Sequence, residues 1–250
     1  MTRIIITGAC GKMGKVIASV VAARDDCEVV AGVDKYNDKT CAFPVYATLN
    51  EVNEKADVVI DFSNPSLLDD LLSYCKANST AVVIATTGYD ECEKKKIADA
   101  SNDIAVFFTY NMSIGINLLA SLAKKAVNVL GNDFDIEIVE QHHNQKIDAP
   151  SGTALMLADA ISEEFDKPMK YEYDRHSKRE KRTKDEIGIH SIRGGTIVGE
   201  HEIIFAGRDE NITLSHSARS KEVFAVGAVN AAVFMSDKTA GMYDMGELVK

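Results

Sequence analysis

The chain has 250 residues, of which 46% are hydrophobic and 26% are charged, and its formal net charge is −10. This composition is typical of a soluble globular protein that is large enough for two modest domains. The negative charge argues against nucleic acid or an anionic membrane surface as the main partner, because both require a basic surface on the protein.

Neither a membrane-spanning segment nor a signal peptide is expected. The apolar runs have the length of single strands, which is too short to span a membrane. The run nearest the N-terminus, which begins at Ile4, is also too short for a signal peptide. The cysteines lack C-x-x-C spacing, which predicts reduced thiols in a cytoplasmic protein and argues against a zinc site. They are Cys10, Cys27, Cys41, Cys75 and Cys92.

Short β-rich runs alternate with helical patterns through the first 110 residues. The runs are apolar on both faces, as buried parallel strands are, and the segments between them are long enough for crossover helices. This alternation predicts a doubly wound α/β domain with a parallel sheet. The predicted strands are 3–7, 28–33, 57–62, 81–85 and 104–108, and the predicted helices are 12–24, 65–77 and 90–100.

The pattern changes after residue 110. A strongly apolar helix is followed by an alternating strand, an amphipathic helix and three strands joined by Gly, Asp and Asn turns. This order predicts an α+β second domain with a mixed sheet, before a last apolar helix. The elements are helices 116–130 and 153–165, strands 135–140, 187–192, 196–205 and 211–216, and the last helix 223–235.

A basic stretch at residues 175–184 lies between two of these elements. Such a run of charges is usually a solvated, mobile loop, and this is the favoured interpretation. A lid that closes over an anionic ligand is the second interpretation.

The first strand leads into a glycine-rich turn that opens the first helix. The turn reads G-x-x-G-x-x-G, with glycines at 8, 11 and 14, and differs from the standard G-x-G-x-x-G. The physical logic is the same, because the glycines permit a tight turn and close helix packing while the helix N-terminus faces a pyrophosphate. The sequence therefore predicts a Rossmann-like dinucleotide site.

The second strand ends at Asp34, where a carboxylate can bind a ribose 2′-hydroxyl. Asp34 favours NAD because it repels a 2′-phosphate, whereas the neighbouring Lys35 allows NADP to be tolerated. Two later turns at strand ends are the expected walls of the nicotinamide site, although either could be scaffold alone. The predicted cofactor-binding residues are Gly8, Ala9, Cys10, Gly11, Lys12, Met13, Asp34, Lys35, Ala85, Thr86, Thr87, Thr109, Tyr110, Asn111 and Met112.

The stretch 140–153 carries a histidine pair and a lysine between a strand and a helix. Adjacent strand residues point to opposite faces, so His142 and His143 are poorly placed to chelate a metal together, and no metal is expected. Histidine and lysine suit acid–base chemistry, and a helix N-terminus at 151–153 suits a substrate carboxylate. Simple helix capping would explain Ser151 but leaves the histidine–lysine pattern without a reason.

These motifs resemble the 4-hydroxy-tetrahydrodipicolinate reductase (dihydrodipicolinate reductase) family of lysine and diaminopimelate biosynthesis. The resemblance covers essentially the whole chain and is most specific at E-x-H-H-x-x-K-x-D-A-P-S-G-T-A, residues 140–154. It also includes the glycine turn and the segments 85–88 and 111–117. The resemblance implies hydride transfer from NAD(P)H to an unsaturated heterocyclic dicarboxylate.

The resemblance also implies roles for particular residues. The catalytic pair would be His142 as acid–base and Lys146 as the donor of a proton to the ring carbon. The substrate carboxylates would be held by His143, Ser151, Gly152 and Thr153. Where the family often has arginine before the last helix, this chain has Lys221, which puts a cofactor contact there in doubt.

The family architecture implies two domains in a homotetramer. Residues 1–111 and 217–250 would form the dinucleotide domain, and residues 112–216 the substrate-binding and tetramerisation domain. Two other functions stay open. Another small NAD(P)-dependent amino-acid or semialdehyde dehydrogenase would not need the histidine–lysine motif, and a non-catalytic dinucleotide-binding regulator would tolerate loss of Lys146.

Overall fold

A computed structural model describes residues 1–37 and 39–248 of the chain. The chain divides into two compact units, one formed by Met1–Ile114 with Glu222–Lys250 and the other by Gly115–Lys221. Each unit contains its own β-sheet and its own helices.

The first unit is built on a parallel sheet of seven strands in the order β12-β6-β5-β4-β1-β2-β3. Two of its strands, at the sheet edges, were not predicted, because two or three residues are too few to show a periodicity. The strands are β1 (Thr2–Thr7), β2 (Cys27–Val33), β3 (Val45–Tyr46), β4 (Val58–Asp61), β5 (Ala81–Ile84), β6 (Ala105–Phe108) and β12 (Gly241–Tyr243).

Different helices bury the two faces of this sheet. Ile4 and Ile6 of β1 pack in one cluster with residues of α1 and α6, whereas Ile5 packs in a second cluster with residues of α2 and α3. Alternate side chains of a strand point to opposite faces, so a continuous apolar run is buried on both. The predicted doubly wound α/β fold is confirmed. The helices are α1 (Lys12–Ala22), α2 (Leu68–Asn78), α3 (Glu91–Ala100), α6 (Glu222–Met235) and α7 (Met245–Leu248).

The second unit has a mixed sheet of five strands in the order β11-β10-β7-β9-β8. Strand β10 runs antiparallel to both neighbours, while β7, β9 and β8 are parallel, which confirms the predicted mixed sheet. The elements are α4 (Ile114–Leu130), β7 (Asp135–His142), α5 (Gly152–Ser162), β8 (Lys170–Glu172), β9 (Glu186–Arg193), β10 (Gly199–Ala206) and β11 (Asn211–Ala218).

One face of this sheet is covered by α4 and α5. Ile136 and Ile138 of β7 pack with Leu119 of α4 and Leu157 of α5 in one buried cluster. Residues of β7 alternate between this covered face and the other face, as an amphipathic strand does. By the same alternation, residues 140 and 142 at the end of β7 also lie on the covered face.

The helix at 114–133 is long and apolar enough, by length and composition alone, to cross a membrane. The expectation that no apolar run approaches that length is therefore wrong. Core helices of globular proteins meet the same criterion, and here Leu119, Ala123 and Val127 are buried against the sheet.

The basic stretch 175–184 is a largely exposed loop, in line with the favoured interpretation, and several of its side chains form ion pairs. Arg182 pairs with Asp135 and Glu137 at 3.1 and 3.0 Å, and Arg175 pairs with Glu186 at 2.8 Å. Lys178 and Lys184 also contact carboxylates. Four of the cations in this stretch are thus paired with carboxylates of the second unit.

Candidate active site

The glycine turn closes tightly between β1 and α1. Gly8 has a φ of +71°, and a Cβ at this position would lie 2.4 Å from the carbonyl oxygen of Phe62. A Cβ on Gly14 would lie 2.2 Å from the carbonyl oxygen of Gly8, because the helix packs directly on the turn. Both close approaches are to backbone atoms that cannot move aside, so both positions require glycine.

The first turn of α1 offers backbone N–H groups to an anion. Gly11 is the N-cap residue, and no side chain of the described residues caps this helix end. Lys12 and Met13 follow as the first helical residues, while Ala9 is buried in the core below the turn. A helix N-terminus favours negative charge, so the cradle fits the pyrophosphate of a dinucleotide.

Asp34 lies against the glycine turn, just past the end of β2. Its Oδ2 accepts a hydrogen bond of 3.0 Å from the N–H of Cys10, and its Oδ1 accepts one of 3.0 Å from the N–H of Tyr36. The structure thus brings the predicted carboxylate to the predicted turn, where it can meet a ribose. Lys35 is exposed beside it.

The two later turns follow β5 and β6, at the same carboxyl edge of the sheet. Thr86 is buried and its Oγ1 accepts a hydrogen bond of 2.9 Å from the N–H of Ser63. Asn111 Oδ1 accepts one of 2.8 Å from the N–H of Ser113. Thr87 and Tyr110 are exposed, and Thr109 is half-buried.

Ala85 and Met112, both predicted to bind the cofactor, have side chains in the buried core of the first unit. Met112 is 4% exposed, and its carbonyl oxygen would lie 1.7 Å from a Cβ on Gly227 of α6. Their side chains therefore pack in the core, and only backbone atoms at these two positions could contact a ligand.

A buried carboxylate at the end of β4 connects these turns, and the sequence analysis did not identify it. Asp61 is 1% exposed, and its Oδ1 accepts hydrogen bonds of 2.5 Å from the hydroxyls of Thr7 and Ser63. The Tyr89 hydroxyl, 3.4 Å away, donates to Oδ2. Asp61 thus ties the ends of β1 and β4 to the turn after β5. An acidic residue that closes a buried apolar strand was the available signal.

In the second unit, the end of β7 places Glu140 and His142 on the covered face of the sheet. Glu140 is fully buried, and its carboxylate faces His142 Nδ1 at 2.6 Å. Arg193, the register partner of His142 on β9, donates from its two terminal nitrogens to the carboxylate at 2.8 and 2.7 Å. The backbone N–H of Ser151 donates to the same carboxylate at 3.1 Å. This arrangement satisfies a buried charge with a cation and further hydrogen bonds.

These contacts set the protonation of the pair. Burial works to raise the pKa of Glu140, but hydrogen bonds led by that from Arg193 outweigh it and lower the pKa to about 2. Burial lowers the pKa of His142, and the attraction of Glu140 offsets this only in part. His142 is therefore neutral at neutral pH. Because ionised Glu140 can only accept, the ring hydrogen lies on Nδ1 and leaves Nε2 as the proton acceptor.

His142 Nε2 lies close to β10 at Gly199. A Cβ on Gly199 of β10 would lie 3.1 Å from this nitrogen, closer than a side chain normally packs. His142 itself is 8% exposed. Glycine at position 199 thus keeps the strand next to the ring free of a side chain.

Lys146 lies in the loop after β7, near His142, and its charge contributes to the lowered pKa of that histidine. Its Nζ is 2.9 Å from Asp148 Oδ1, and its side chain is 22% exposed. The backbone N–H of Lys146 donates to the carbonyl oxygen of His143 at 3.1 Å. The lysine is therefore held near the histidine while it stays accessible to solvent.

Helix α5 begins next to this loop, with Ser151 as its N-cap. Ser151 Oγ accepts a hydrogen bond of 3.1 Å from the N–H of Ala154. Gly152 is exposed, and a Cβ there would meet no atom within 4 Å. Open space at a helix N-terminus suits a carboxylate, and Thr153 belongs to the same first turn.

His143 leaves the strand beside this helix start. Its Nδ1 is buried, and it has no hydrogen-bond partner among residues 1–37 and 39–248. A buried ring nitrogen without a partner is a group that a ligand oxygen can satisfy. In the same part of the chain, no group of three or more His, Cys, Asp or Glu side chains could hold a metal ion.

Arg193, Gly199 and His201 also belong to this site, and they were not predicted from the sequence. They come from β9 and β10, and they meet the histidine segment only through strand register. The buried His201 contacts both Ser151 Oγ, at 3.1 Å, and the ring of His142. An arginine at the end of a strand, followed by two glycines, is the weak signal that existed for Arg193.

Comparison with known proteins gives a consistent result over both units. Residues 2–112 match the family described as dihydrodipicolinate reductase, N-terminus, and residues 115–249 match its C-terminus. The chain is 54% identical over 250 residues to the 4-hydroxy-tetrahydrodipicolinate reductase of Caldanaerobacter subterraneus, with 100% of this chain and 99% of that protein covered. It is 49% identical to the enzyme of that name from Clostridium tetani, with 98% and 96% covered.

Solved structures agree with these matches. Dipicolinate-bound dihydrodipicolinate reductase from Paenisporosarcina superposes with a TM-score of 0.81 at 27% identity and covers all of both chains. Aspartate dehydrogenase from Thermotoga maritima, at 12% identity and a TM-score of 0.56, covers 95% of this chain and 98% of its own and shares only the fold. From the two family matches and the full-length relatives, this chain belongs to the dihydrodipicolinate reductase family.

Proposed function

We propose that this chain reduces 4-hydroxy-tetrahydrodipicolinate to tetrahydrodipicolinate with NAD(P)H and one proton, with the 4-hydroxyl group released as water, as a step of lysine and diaminopimelate biosynthesis. The observation that carries the proposal is the segment from β7 to α5. It combines a neutral histidine, a lysine and an open helix N-terminus in one short stretch of chain. Relatives that are named 4-hydroxy-tetrahydrodipicolinate reductase and match this chain over its full length support the same reaction.

The glycine turn would hold the cofactor pyrophosphate, and Asp34 would bind the adenosine ribose. When bound, the reduced nicotinamide supplies the hydride of the reaction. The Asp34 carboxylate supports a preference for NADH, because it would repel a 2′-phosphate at this position. Lys35 is the nearby cation that would let NADPH be tolerated.

Lys146 would donate the proton that the reduction requires. The other cation in the cluster, Arg193, cannot release a proton at neutral pH, and His142 is already neutral. His142 would act as the base, since Glu140 holds its Nδ1–H and leaves Nε2 to accept. This pairing of a lysine acid with a neutral imidazole gives two neighbouring groups opposite roles.

The substrate carries two carboxylates, and the start of α5 is suited to bind them. We assign this role to the first-turn N–H groups of Gly152 and Thr153 and the ring of His143. Ser151, which was also predicted to bind substrate, has a buried hydroxyl that already contacts Ala154 and His201, so it would serve by fixing this turn. The helix dipole favours a carboxylate at this end. A homotetramer, which the family resemblance implies, and a cytoplasmic location, which the cysteine pattern predicts, belong to the same proposal.

The direct test is reduction by the purified chain. The aldol product of pyruvate and aspartate semialdehyde should be consumed with loss of nicotinamide absorbance, with NADH and NADPH assayed in parallel. We expect turnover with both cofactors and a higher kcat/KM with NADH. No loss of absorbance with either cofactor would contradict the proposed function.

The cofactor preference can be tested at Asp34. In Asp34→Asn, we expect the NADH-to-NADPH ratio of kcat/KM to fall by roughly tenfold, because a negative charge next to the 2′-phosphate is removed. Asp25→Asn is the matched control, since Asp25 is an exposed carboxylate of the same unit. An unchanged ratio in Asp34→Asn would mean that this carboxylate does not select the cofactor.

A further inference from the structure

His201 is a buried histidine in β10 that none of the roles above uses. It is 4% exposed, and it lies opposite Glu140 of β7 on one side and His216 of β11 on the other. Directly opposite residues of paired strands share a face of the sheet. His201 therefore belongs to the polar end of the covered face, where the histidine segment lies.

The ring of His201 makes two contacts with that segment. Its Nε2 is 3.1 Å from Ser151 Oγ, and its plane meets the ring of His142 edge-on, with centroids 5.3 Å apart. Ser151 Oγ already accepts the N–H of Ala154, so its single hydrogen is available to point toward His201. The hydrogen bond between His201 Nε2 and Ser151 Oγ forms with either tautomer of the neutral ring, since Nε2 can accept that hydrogen or donate to Oγ.

The charge state of His201 agrees with this hydrogen bond. Burial, with a smaller contribution from His142, lowers the pKa of His201 to about 4. The charged or titratable groups that act on it are Glu140, His142, Lys146 and His216. A neutral ring carries one proton and leaves its other nitrogen free, so the ring can keep one hydrogen bond with the serine hydroxyl throughout the neutral pH range.

We infer that His201 is a positioning residue, which orients Ser151 and the ring of His142 so that the start of α5 can bind a substrate carboxylate. Ser151 is held at two points, because its N–H donates to Glu140 and its hydroxyl is hydrogen-bonded to His201 Nε2. Both contacts act on the residue that precedes Gly152 and Thr153, whose N–H groups would hold the substrate carboxylate. The inference rests on the proposed function, and His201 itself need not touch the substrate.

Two neutral amides at position 201 separate the hydrogen bond from simple packing. A glutamine can place its carbonyl oxygen near the position of Nε2, whereas an asparagine is too short to reach Ser151. In His201→Asn we expect the substrate KM and the inhibition constant of dipicolinate to rise about tenfold, with the NADH KM within about twofold of wild type. His201→Gln should recover most of the loss.

Several results would overturn the inference. A substrate KM in His201→Asn within about twofold of wild type would do so, as would equal loss in the glutamine and asparagine variants. If His201→Asn does not fold, Ser151→Ala removes the same hydrogen bond, and an unchanged substrate KM there would be decisive. His190→Asn, a change on the other face of the sheet, is the matched control. Inactive wild-type protein would instead contradict the proposed function.

Discussion

Lys146→Ala is expected to lower kcat by about 10²–10⁴-fold while the cofactor KM stays within about twofold. The physical reason is the absence of another proton donor in the cluster of described residues around it. His142 is neutral because burial lowers its pKa, and an arginine does not release its proton. Steady-state kinetics with varied substrate and varied NADH will separate the two effects.

Lys146→Arg separates the loss of the proton donor from the loss of the positive charge. Arginine keeps the positive charge and can pair with Asp148, but it does not donate a proton at neutral pH. We therefore expect kcat to stay low while the substrate KM lies closer to wild type than in Lys146→Ala. Lys125→Ala, at an exposed lysine of α4, is the control for a lost surface charge. A parallel loss of cofactor affinity in Lys146→Ala would show that the lysine supports structure instead.

Glu140→Ala is expected to lower the free energy of unfolding by about 3 kcal/mol at neutral pH. The carboxylate is fully buried, and it accepts two hydrogen bonds from Arg193 and one from Ser151. Its removal leaves the guanidinium without its carboxylate partner and takes away the group that orients His142. Urea unfolding will measure the loss. Glu210→Ala, at an exposed glutamate of the same unit, should change little.

The same variant makes a signed prediction for pH. The folded-state pKa of Glu140 is lowered to about 2 from an ordinary value of 4.5. A lowered carboxyl pKa adds stability that is fully present above the unfolded-state value and is lost as the pH falls toward the folded-state value. The stability difference between wild type and Glu140→Ala should therefore shrink from about pH 5 toward about pH 2. A difference that is constant over this range would contradict the assignment.

The cofactor turn shows what local sequence can predict well. Gly8 and Gly14 are needed because backbone atoms close in sequence or in the adjoining strand leave no room for a Cβ. Asp34 follows the next strand of the sheet, so its arrival at the turn is a consequence of parallel order. Glycines in the turn and a carboxylate after the next strand can be predicted because they depend only on the local order of strand, turn and helix. The two short edge strands β3 and β12 carry no comparable pattern.

The histidine site shows where local sequence stops. His142, Lys146 and Ser151 lie within one continuous motif and were predicted together. Arg193 and His201 reach the same site from separate strands, and the pairing register of β7 with β9 and β10 determines which side chains meet. A shift of one residue would turn each of them to the other face of the sheet. Met112 is the opposite case: it was predicted to bind the cofactor, but its side chain is buried in the core and cannot do so.

The sequence by itself determined the order of the longer strands and helices, the dinucleotide turn and the motif at 140–154, because each depends on residues that are near one another in the chain. The tertiary structure alone decided that His142 is neutral, that Arg193 pairs with Glu140 and that His201 holds Ser151. These properties depend on burial and on charges brought from other strands. Burial and register exist only after the sheet has formed.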